Sequence, residues 1–81
     1  MKEVKVYLRS MEAIQKFVSV TSKFPVKLDL MPQDDDETRV SGKSVMGIFS
    51  LDYSHPLRLR IHGDDAGAEE LCKALKGFLI S

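Results

Sequence analysis

The chain has 81 residues, of which 43% are hydrophobic and 30% charged, a balance that fits a folded protein and excludes a disordered one. Twelve basic and twelve acidic residues cancel to a net charge of zero, so the molecule as a whole does not attract nucleic acid or a membrane surface. We expect one domain over residues 1–81, because a chain of this length has no room for a second core.

Apolar spacing in the first half of the chain predicts three strands and two helices. Residues 4–8 and 26–30 alternate between apolar and polar side chains, as half-buried strands do. Between them, Ser10 can cap a helix that runs to about Lys23, because Pro25 disfavours helical geometry in the residue before it. A short strand at 38–40 follows, and Gly42 and Ser44 then introduce a helix over residues 45–51.

The second half of the chain predicts one more strand and a closing helix. Residues 57–62 alternate and form the strand. The segment GDDAGAEELCKALKGFLIS has an acidic start, with Asp64 and Asp65 as caps, and a basic end, as the helix dipole favours. Its predicted buried stripe is Leu71, Cys72, Leu75, Phe78 and Leu79.

The order βαββαβα predicts an α+β fold. Strands with one apolar face and amphipathic helices indicate a two-layer, open-faced β-sandwich, in which three helices cover one face of a four-stranded antiparallel sheet. We expect the other face of the sheet to meet water, as antiparallel sheets permit.

Several classes of protein are excluded by what the sequence lacks. Cys72 is the only cysteine, so we expect no internal disulfide and a reducing compartment. No apolar run approaches the ~18 residues of a membrane span, and the first residues do not read as a secretory signal, so we expect a cytoplasmic protein. The acidic run PQDDDE lacks the spacing of a calcium loop. We expect neither a metal nor a cofactor.

The stretch GKSVMGIFSL raises the question of function, because Ser44 opens an apolar helix. A serine there can simply satisfy backbone amides. It can also be phosphorylated, since the start of a helix tolerates a phosphate. Met46 and Phe49 lie three residues apart, as do Val45 and Ile48, so we expect one pair to face the core and the other to be partly exposed. An exposed methionine suits an adaptable contact surface.

The string KSVMGIFSL resembles the regulatory-serine segment of HPr, the phosphocarrier family of the bacterial sugar phosphotransferase system, where the usual string is KSIMGVMSL. The order of elements, the TSKF ending of the first helix and the acidic last helix extend the resemblance over essentially the whole chain. It implies the HPr-type open-faced sandwich, and it implies that Ser44 matches the serine that HPr kinase/phosphorylase modifies in some bacteria. The identical positions are Lys43, Ser44, Met46, Gly47, Ser50 and Leu51.

The chain departs from this family at the start of the first helix. The family carries its phosphoryl group on a histidine in a G-[LI]-H-A-R-P-A segment, where the arginine steadies the phosphate. Counted back from TSKF, Ser10 falls on the histidine position and Glu12 on the arginine position. A serine hydroxyl without a base is a poor nucleophile, and Glu12 would repel a phosphoryl group. The resemblance then implies a lost carrier role, similar to the catabolite-repression HPr paralogue.

We therefore predict a regulatory domain that is not an enzyme, since no nucleophile–base pair or spaced ligand set stands out. Its partner would be a protein, such as a kinase, a transcriptional regulator or a phosphotransferase component, with no membrane involved. Ser44 is the candidate phosphorylation site, and Asp52, which stands where the family usually has glycine, adds negative charge near it. The predicted partner-binding residues are Lys43, Met46, Gly47 and Phe49.

Two alternatives stay open. His55 follows the second helix, in a loop that approaches the start of the first helix in the family, and could take the phosphoryl group there; an ordinary loop histidine is the plainer interpretation. His62 reads as a surface histidine. The open sheet face could bind an anionic ligand or nucleic acid, although RNA-binding sheets usually offer more aromatic rings. That face carries Lys5, Arg9, Lys27, Arg58 and Arg60, with Tyr7 and one acid, Asp29.

Overall fold

The computed structural model describes residues 2–63 and 65–80, and it leaves the side chain of Asp65 undescribed. Three helices and one antiparallel sheet confirm the predicted α+β sandwich, but the sheet has five strands where four were predicted. In chain order the elements are β1 (Lys2–Val6), α1 (Met11–Thr21), β2 (Leu28–Met31), β3 (Val40–Ser41), α2 (Val45–Phe49), β4 (Leu57–Ile61), α3 (Asp65–Ala74) and β5 (Leu79–Ile80).

The strands lie in the order β3-β2-β4-β1-β5, and each neighbouring pair is antiparallel. In the centre, β4 pairs with β1 from Lys2 opposite Ile61 to Val6 opposite Leu57. On its other side β4 pairs with β2, where Met31 lies opposite Arg58. Side chains directly opposite each other point to the same face of a sheet, so the phase of β4 fixes the phase of both neighbours.

One core lies between the sheet and the helices. Apolar residues of β1, β2 and β4 meet buried residues of all three helices there, and Phe17 of α1 packs edge-on against Phe78, with ring centroids 5.6 Å apart. The spacing that predicted these elements is therefore the spacing of their buried side chains. Fully buried members are Val6, Leu8, Ile14, Phe17, Leu30, Ile48, Leu59, Leu71 and Leu75.

The last helix is shorter than predicted, and the fifth strand takes its end. α3 stops at Ala74, and glycine at position 77 gives the chain a poor helix former just beyond it. The amide of Tyr7 then donates to the carbonyl of Phe78 at 2.9 Å, and β5 pairs with the end of β1. Leu79 thus belongs to the sheet and not to the helix stripe. The predicted cap Asp64 and the side chain of Asp65 lie outside the described residues.

The open face of the sheet is partly covered, which corrects the expectation that it meets water. Met31 lies on this face, because it is paired with Arg58, yet it is fully buried and stands outside the main core. The segment after β2 turns back over it: Arg58 donates from Nε and Nη2 to the carbonyl of Pro32 and also pairs with Asp36.

The open face is also less basic than predicted, because the sequence interpretation counted one acid where there are three. Glu3 lies between Arg58 and Arg60, with Oε2 3.1 Å from Nη2 of Arg60 and Oε1 3.5 Å from Nη1 of Arg58. Asp36 is the third acid. His62 is half-buried and not an ordinary surface residue, since its Nε2 lies 2.8 Å from Oδ2 of Asp29.

Thr21 is a buried polar residue that links α1 to the segment before α2. Its Oγ1 donates to the carbonyl of Gly42 at 2.9 Å and is 3.2 Å from the carbonyl of Val18. We expect Thr21→Val to lower the free energy of unfolding by about 1–3 kcal/mol, because a buried carbonyl loses its donor. Urea unfolding measures the loss. Thr21→Ser keeps the hydroxyl but removes a methyl group, and it should lose less; equal losses would mean that the hydrogen bond contributes no more than one buried methyl group.

Asp36 makes the stability of the chain depend on pH. The hydrogen bond from Arg58, and then its charge, lowers the pKa of the Asp36 carboxyl below the ordinary value of 3.8. Such a group contributes stability above its unfolded pKa and loses it as the pH falls through the folded pKa. We expect the wild type to be more stable than Asp36→Asn at neutral pH, and the difference to vanish in acid. Urea unfolding along a pH series tests this; a difference that persists into acid would contradict it.

Candidate functional site

The start of α1 is capped by Ser10, as predicted. Ser10 is extended, with φ −154° and ψ 166°, and its Oγ accepts from the amide of Ala13 at 3.1 Å. The carbonyl of Ser10 accepts from the amide of Ile14. In the first turn of the helix, Oε1 of Glu12 lies 3.4 Å from Nζ of Lys16. Both side chains are exposed, so this ion pair is weak. The hydroxyl oxygen of Ser10 thus serves the helix backbone.

A hollow of about 540 Å³ lies beside this helix start, between α1, the residue that follows β1 and the β5 segment. Arg9 stacks on the ring of Tyr7, 5.0 Å from its centroid, and both residues line the hollow. The hydroxyl of Tyr7 donates to the carbonyl of Ser54 at 3.0 Å. The loop after α2 therefore does approach the segment before α1.

His55, in that same loop, does not line this hollow. Its side chain is 75% exposed and its Nε2 lies 3.6 Å from Oδ2 of Asp52. It borders a second hollow of about 410 Å³, to which Asp34 and Asp52 contribute carboxylates. Hydrogen bonds from Ser54 lower the pKa of the Asp52 carboxyl. Asp52 follows the C-terminal end of α2 and does not adjoin Ser44, which corrects the expected placement of its charge.

The start of α2 is capped by Ser44. Its Oγ accepts from the amide of Gly47 at 3.1 Å, and its carbonyl accepts from the amide of Ile48. A Cβ on Gly47 would lie 3.1 Å from Cβ of Val40 and 3.2 Å from Oγ of Ser44, which is too close without a shift. Gly47 therefore lets α2 approach β3, and its predicted role as a partner contact stays a prediction.

Lys43 has a structural role beside its predicted partner contact. It is half-buried, and its Nζ donates to the carbonyl of Phe24, just beyond α1. An ammonium group near the C-terminal end of a helix is favoured by the helix dipole. Lys43 thus joins the end of α1 to the start of α2, in parallel with the bond from Thr21 to Gly42.

The apolar side chains of α2 divide as the spacing predicted. Ile48 is fully buried and Val45 is half-buried, whereas Met46 is 78% exposed. Phe49 is half-buried and packs edge-on against Tyr53, with ring centroids 6.0 Å apart. Met46 is therefore the most accessible of the predicted partner-binding residues.

Met11 is an exposed apolar residue that the sequence interpretation did not single out. Its side chain, in the first turn of α1, is 55% exposed, and with Met46 it forms the set of large exposed hydrophobic side chains in the described part of the chain. Its spacing from Ile14 would place it near the buried stripe, so periodicity gave no signal for it. We call Met11, Met46 and Phe49 the α1–α2 surface.

Comparison with known protein families identifies the family to which this fold belongs. The PTS-HPr model, described as the PTS HPr component phosphorylation site, matches residues 10–81. The chain belongs to the HPr family. The resemblance drawn from KSVMGIFSL is thereby confirmed. No curated protein matches the chain.

Two solved structures of the HPr family resemble the chain throughout. The crystal structure of HPr-C-His from Thermoanaerobacter tengcongensis is 33% identical, with 95% of this chain and 89% of that one covered and a TM-score of 0.73. A phosphocarrier protein HPr from Bacillus anthracis strain Ames is 26% identical, with 98% and 94% covered and a TM-score of 0.71. The HPr fold thus extends over nearly the whole chain.

Other kinds of site find no support in the described residues. Residues 2–63 and 65–80 contain no group of histidine, cysteine, aspartate or glutamate that could hold a metal ion. Within the same ranges, no helix is long and apolar enough to cross a membrane. The HPr-family features of the described chain lie at two places, the start of α1 and the start of α2.

The contact made by Lys43 predicts a measurable loss of stability. We expect Lys43→Met to lower the free energy of unfolding by about 1 kcal/mol, because the carbonyl of Phe24 loses its charged donor. Urea unfolding measures it. Lys27→Met removes the same charge from an exposed position and serves as the control. Equal losses for the two variants would mean that Lys43 contributes only net charge.

Proposed function

We propose that this HPr-family chain is a cytoplasmic regulatory domain that binds a protein partner and carries no phosphoryl group on a histidine. The observation that carries the proposal is the start of α1, where Ser10 caps the helix and Glu12 follows in its first turn. A phosphocarrier needs an imidazole nucleophile and a cation at such a place. This chain offers a hydroxyl engaged by the amide of Ala13 and a carboxylate.

The chemistry of the remaining histidines supports the same conclusion. His55 borders a hollow with two carboxylates, which repel an incoming phosphoryl group. His62 is paired with Asp29 on the opposite face of the sheet. Neither group combines an accessible imidazole with the free amides of a helix start, so a divergent carrier that uses His55 is the weaker alternative.

The α1–α2 surface supports the binding role. Met11 and Met46 expose flexible apolar side chains that adapt to a partner. Two exposed methionines suit a protein interface better than a small-molecule site, because interfaces enrich Met and aromatic residues. The partner classes that fit are a kinase, a transcriptional regulator or a phosphotransferase component.

Phosphorylation of Ser44 is the regulatory part of the proposal. The Ser44 oxygen already faces the amide of Gly47, so a phosphoryl oxygen can accept there while the fold is kept. New negative charge would then lie beside Met46. Incubation with HPr kinase and ATP, followed by mass spectrometry, tests this. Ser44→Ala should abolish the added phosphate and Ser10→Ala should not; no phosphate on the wild type would reduce the proposal to unswitched binding.

The proposed loss of carrier function predicts a gain on reversal. With enzyme I and phosphoenolpyruvate we expect no acid-labile phosphoryl adduct on the wild type, and an adduct on the Ser10→His, Glu12→Arg double variant. The double variant restores the nucleophile and the cation at the start of α1. Mass spectrometry at alkaline pH measures the adduct. Ser10→His alone, which keeps Glu12, should react at least tenfold more slowly, about the effect of one misplaced charge.

The outcome for the wild type also tests the His55 alternative. An acid-labile adduct on the wild type that disappears in His55→Ala would overturn the proposed function in favour of a divergent carrier. An adduct on the wild type that survives in His55→Ala would place the acceptor elsewhere and would contradict both interpretations.

Anion or nucleic-acid binding by the open sheet face is a second candidate with less support. Glu3, Asp29 and Asp36 offset the cations of that face. Retention on heparin that falls steeply with salt would favour it.

A further inference from the structure

The segment between β2 and β3 forms a cover over part of the open sheet face. We call residues 32–39 the acidic loop. Met31 immediately precedes it, points to the open face opposite Arg58, and is fully buried although it lies outside the core cluster. An apolar side chain on a polar face needs a cover. Arg58, whose side chain is only 16% exposed, and the returning loop supply that cover.

Arg58 binds a main-chain carbonyl and a carboxylate of the acidic loop, the same groups that a bound acidic peptide offers. Its Nε and Nη2 donate to the carbonyl of Pro32 at 3.2 and 3.1 Å, and its Nη2 also pairs with the carboxylate of Asp36. One main-chain carbonyl and one carboxylate four residues later are thus bound by one guanidinium group. Lys5 lies opposite Arg58 on β1 and adds positive charge at the same end of the face.

The loop keeps a shape of its own, independent of that attachment. Oδ1 of Asp35 accepts from the amides of Glu37 and Thr38 at 2.8 and 3.2 Å, and its Oδ2 accepts from the hydroxyl of Thr38. The loop is also attached by Gln33, whose Nε2 donates to the carbonyl of Pro56 at 3.3 Å. Its charged attachment to the sheet is a single carboxylate, Asp36, whose side chain is 67% exposed. Exposed ion pairs of this kind are weak and are screened by salt.

We propose that the acidic loop is a displaceable lid, and that the surface of Met31 and Arg58 beneath it binds an acidic peptide segment of a protein partner. The lid shows part of the chemistry that the surface accepts: a main-chain carbonyl and a carboxylate, both bound by Arg58. Glu3 on β1 also contacts Arg58 at 3.5 Å, so a partner with several carboxylates replaces only the contact of Asp36. This surface lies on the opposite side of the sheet from the α1–α2 surface, so the proposal does not depend on the proposed function.

Binding of a peptide that copies the lid tests the proposal. The probe is a fluorescein-labelled peptide of residues 32–39, measured by fluorescence anisotropy at low salt. We expect Asp36→Asn to bind it about two- to fivefold more tightly than the wild type, the range that loss of an exposed ion pair allows. Asp34→Asn lies in the same loop and removes the same charge, so it is the matched control and should stay near the wild type. Adding Arg58→Gln to Asp36→Asn should remove the gain.

Oxidation of Met31 tests lid opening without any peptide. Under dilute hydrogen peroxide, the buried thioether of Met31 should oxidise faster in Asp36→Asn than in Asp34→Asn, and added peptide should slow it. The exposed Met46 gives an internal reference in the same mass spectrum. Circular dichroism verifies that each variant is folded.

Three results would overturn the proposal. Equal gains for Asp36→Asn and Asp34→Asn would reduce the effect to net charge. A gain that survives Arg58→Gln would place the peptide elsewhere. An unchanged rate of Met31 oxidation in Asp36→Asn would show that the loop is not held by this contact.

Discussion

The alternation of aliphatic and arginine residues along β4 is the constraint on which the rest of the structure depends. Leu57, Leu59 and Ile61 point to the helices and are buried, so Arg58 and Arg60 must point to the other face. Because β4 lies between β1 and β2, both neighbours follow its phase. A slip of one residue would carry arginines into the core. Each side chain of these strands therefore faces either the helices or the open side of the sheet.

Two arginines on one strand also need counter-charges, and the surrounding residues supply them. Glu3, opposite Arg60 on β1, contacts both guanidinium groups, and Asp36 reaches Arg58 from the loop. Arginine side chains held in this way cover the sheet with their aliphatic stems. The same ion pairs therefore neutralise the face and allow Met31 to be buried on it. The ion pairs of Arg58 and Arg60 thus explain both the low net charge of the face and the position of the acidic loop.

Much of the string shared with the HPr family is explained by packing. Ser44 caps α2, Gly47 lets α2 approach Val40, and Lys43 binds the carbonyl of Phe24. These residues would be needed for the fold whether or not the serine is ever phosphorylated. Of the shared positions discussed, Met46 is the one whose side chain projects into solvent without a structural task. The string is therefore stronger support for the fold than for the switch.

Local patterns in the sequence predicted local structure well. The cap at Ser10, the buried Ile48 and the phase of β4 all follow from spacing of a few residues, and each is present. Two of the failures involve partners distant in the chain. β5 depends on an edge of β1, and His62 depends on Asp29, which lies 33 residues away. Periodicity carries no information about such pairings.

Met31 shows how a local signal can point to a distant contact. In β2 the apolar residues Leu28 and Leu30 occupy one phase, and Met31 breaks it by standing in the phase of Asp29. An apolar residue that is out of phase on the open face needs a cover. The three aspartates that follow it need a cation, and Arg58 of β4 provides one at the position opposite Met31. The acidic run is thus more than a plain solvated loop, because its Asp36 pairs with Arg58, which lies opposite the buried Met31. The sheet separates this loop from the α1–α2 surface, so the two proposed binding surfaces do not overlap.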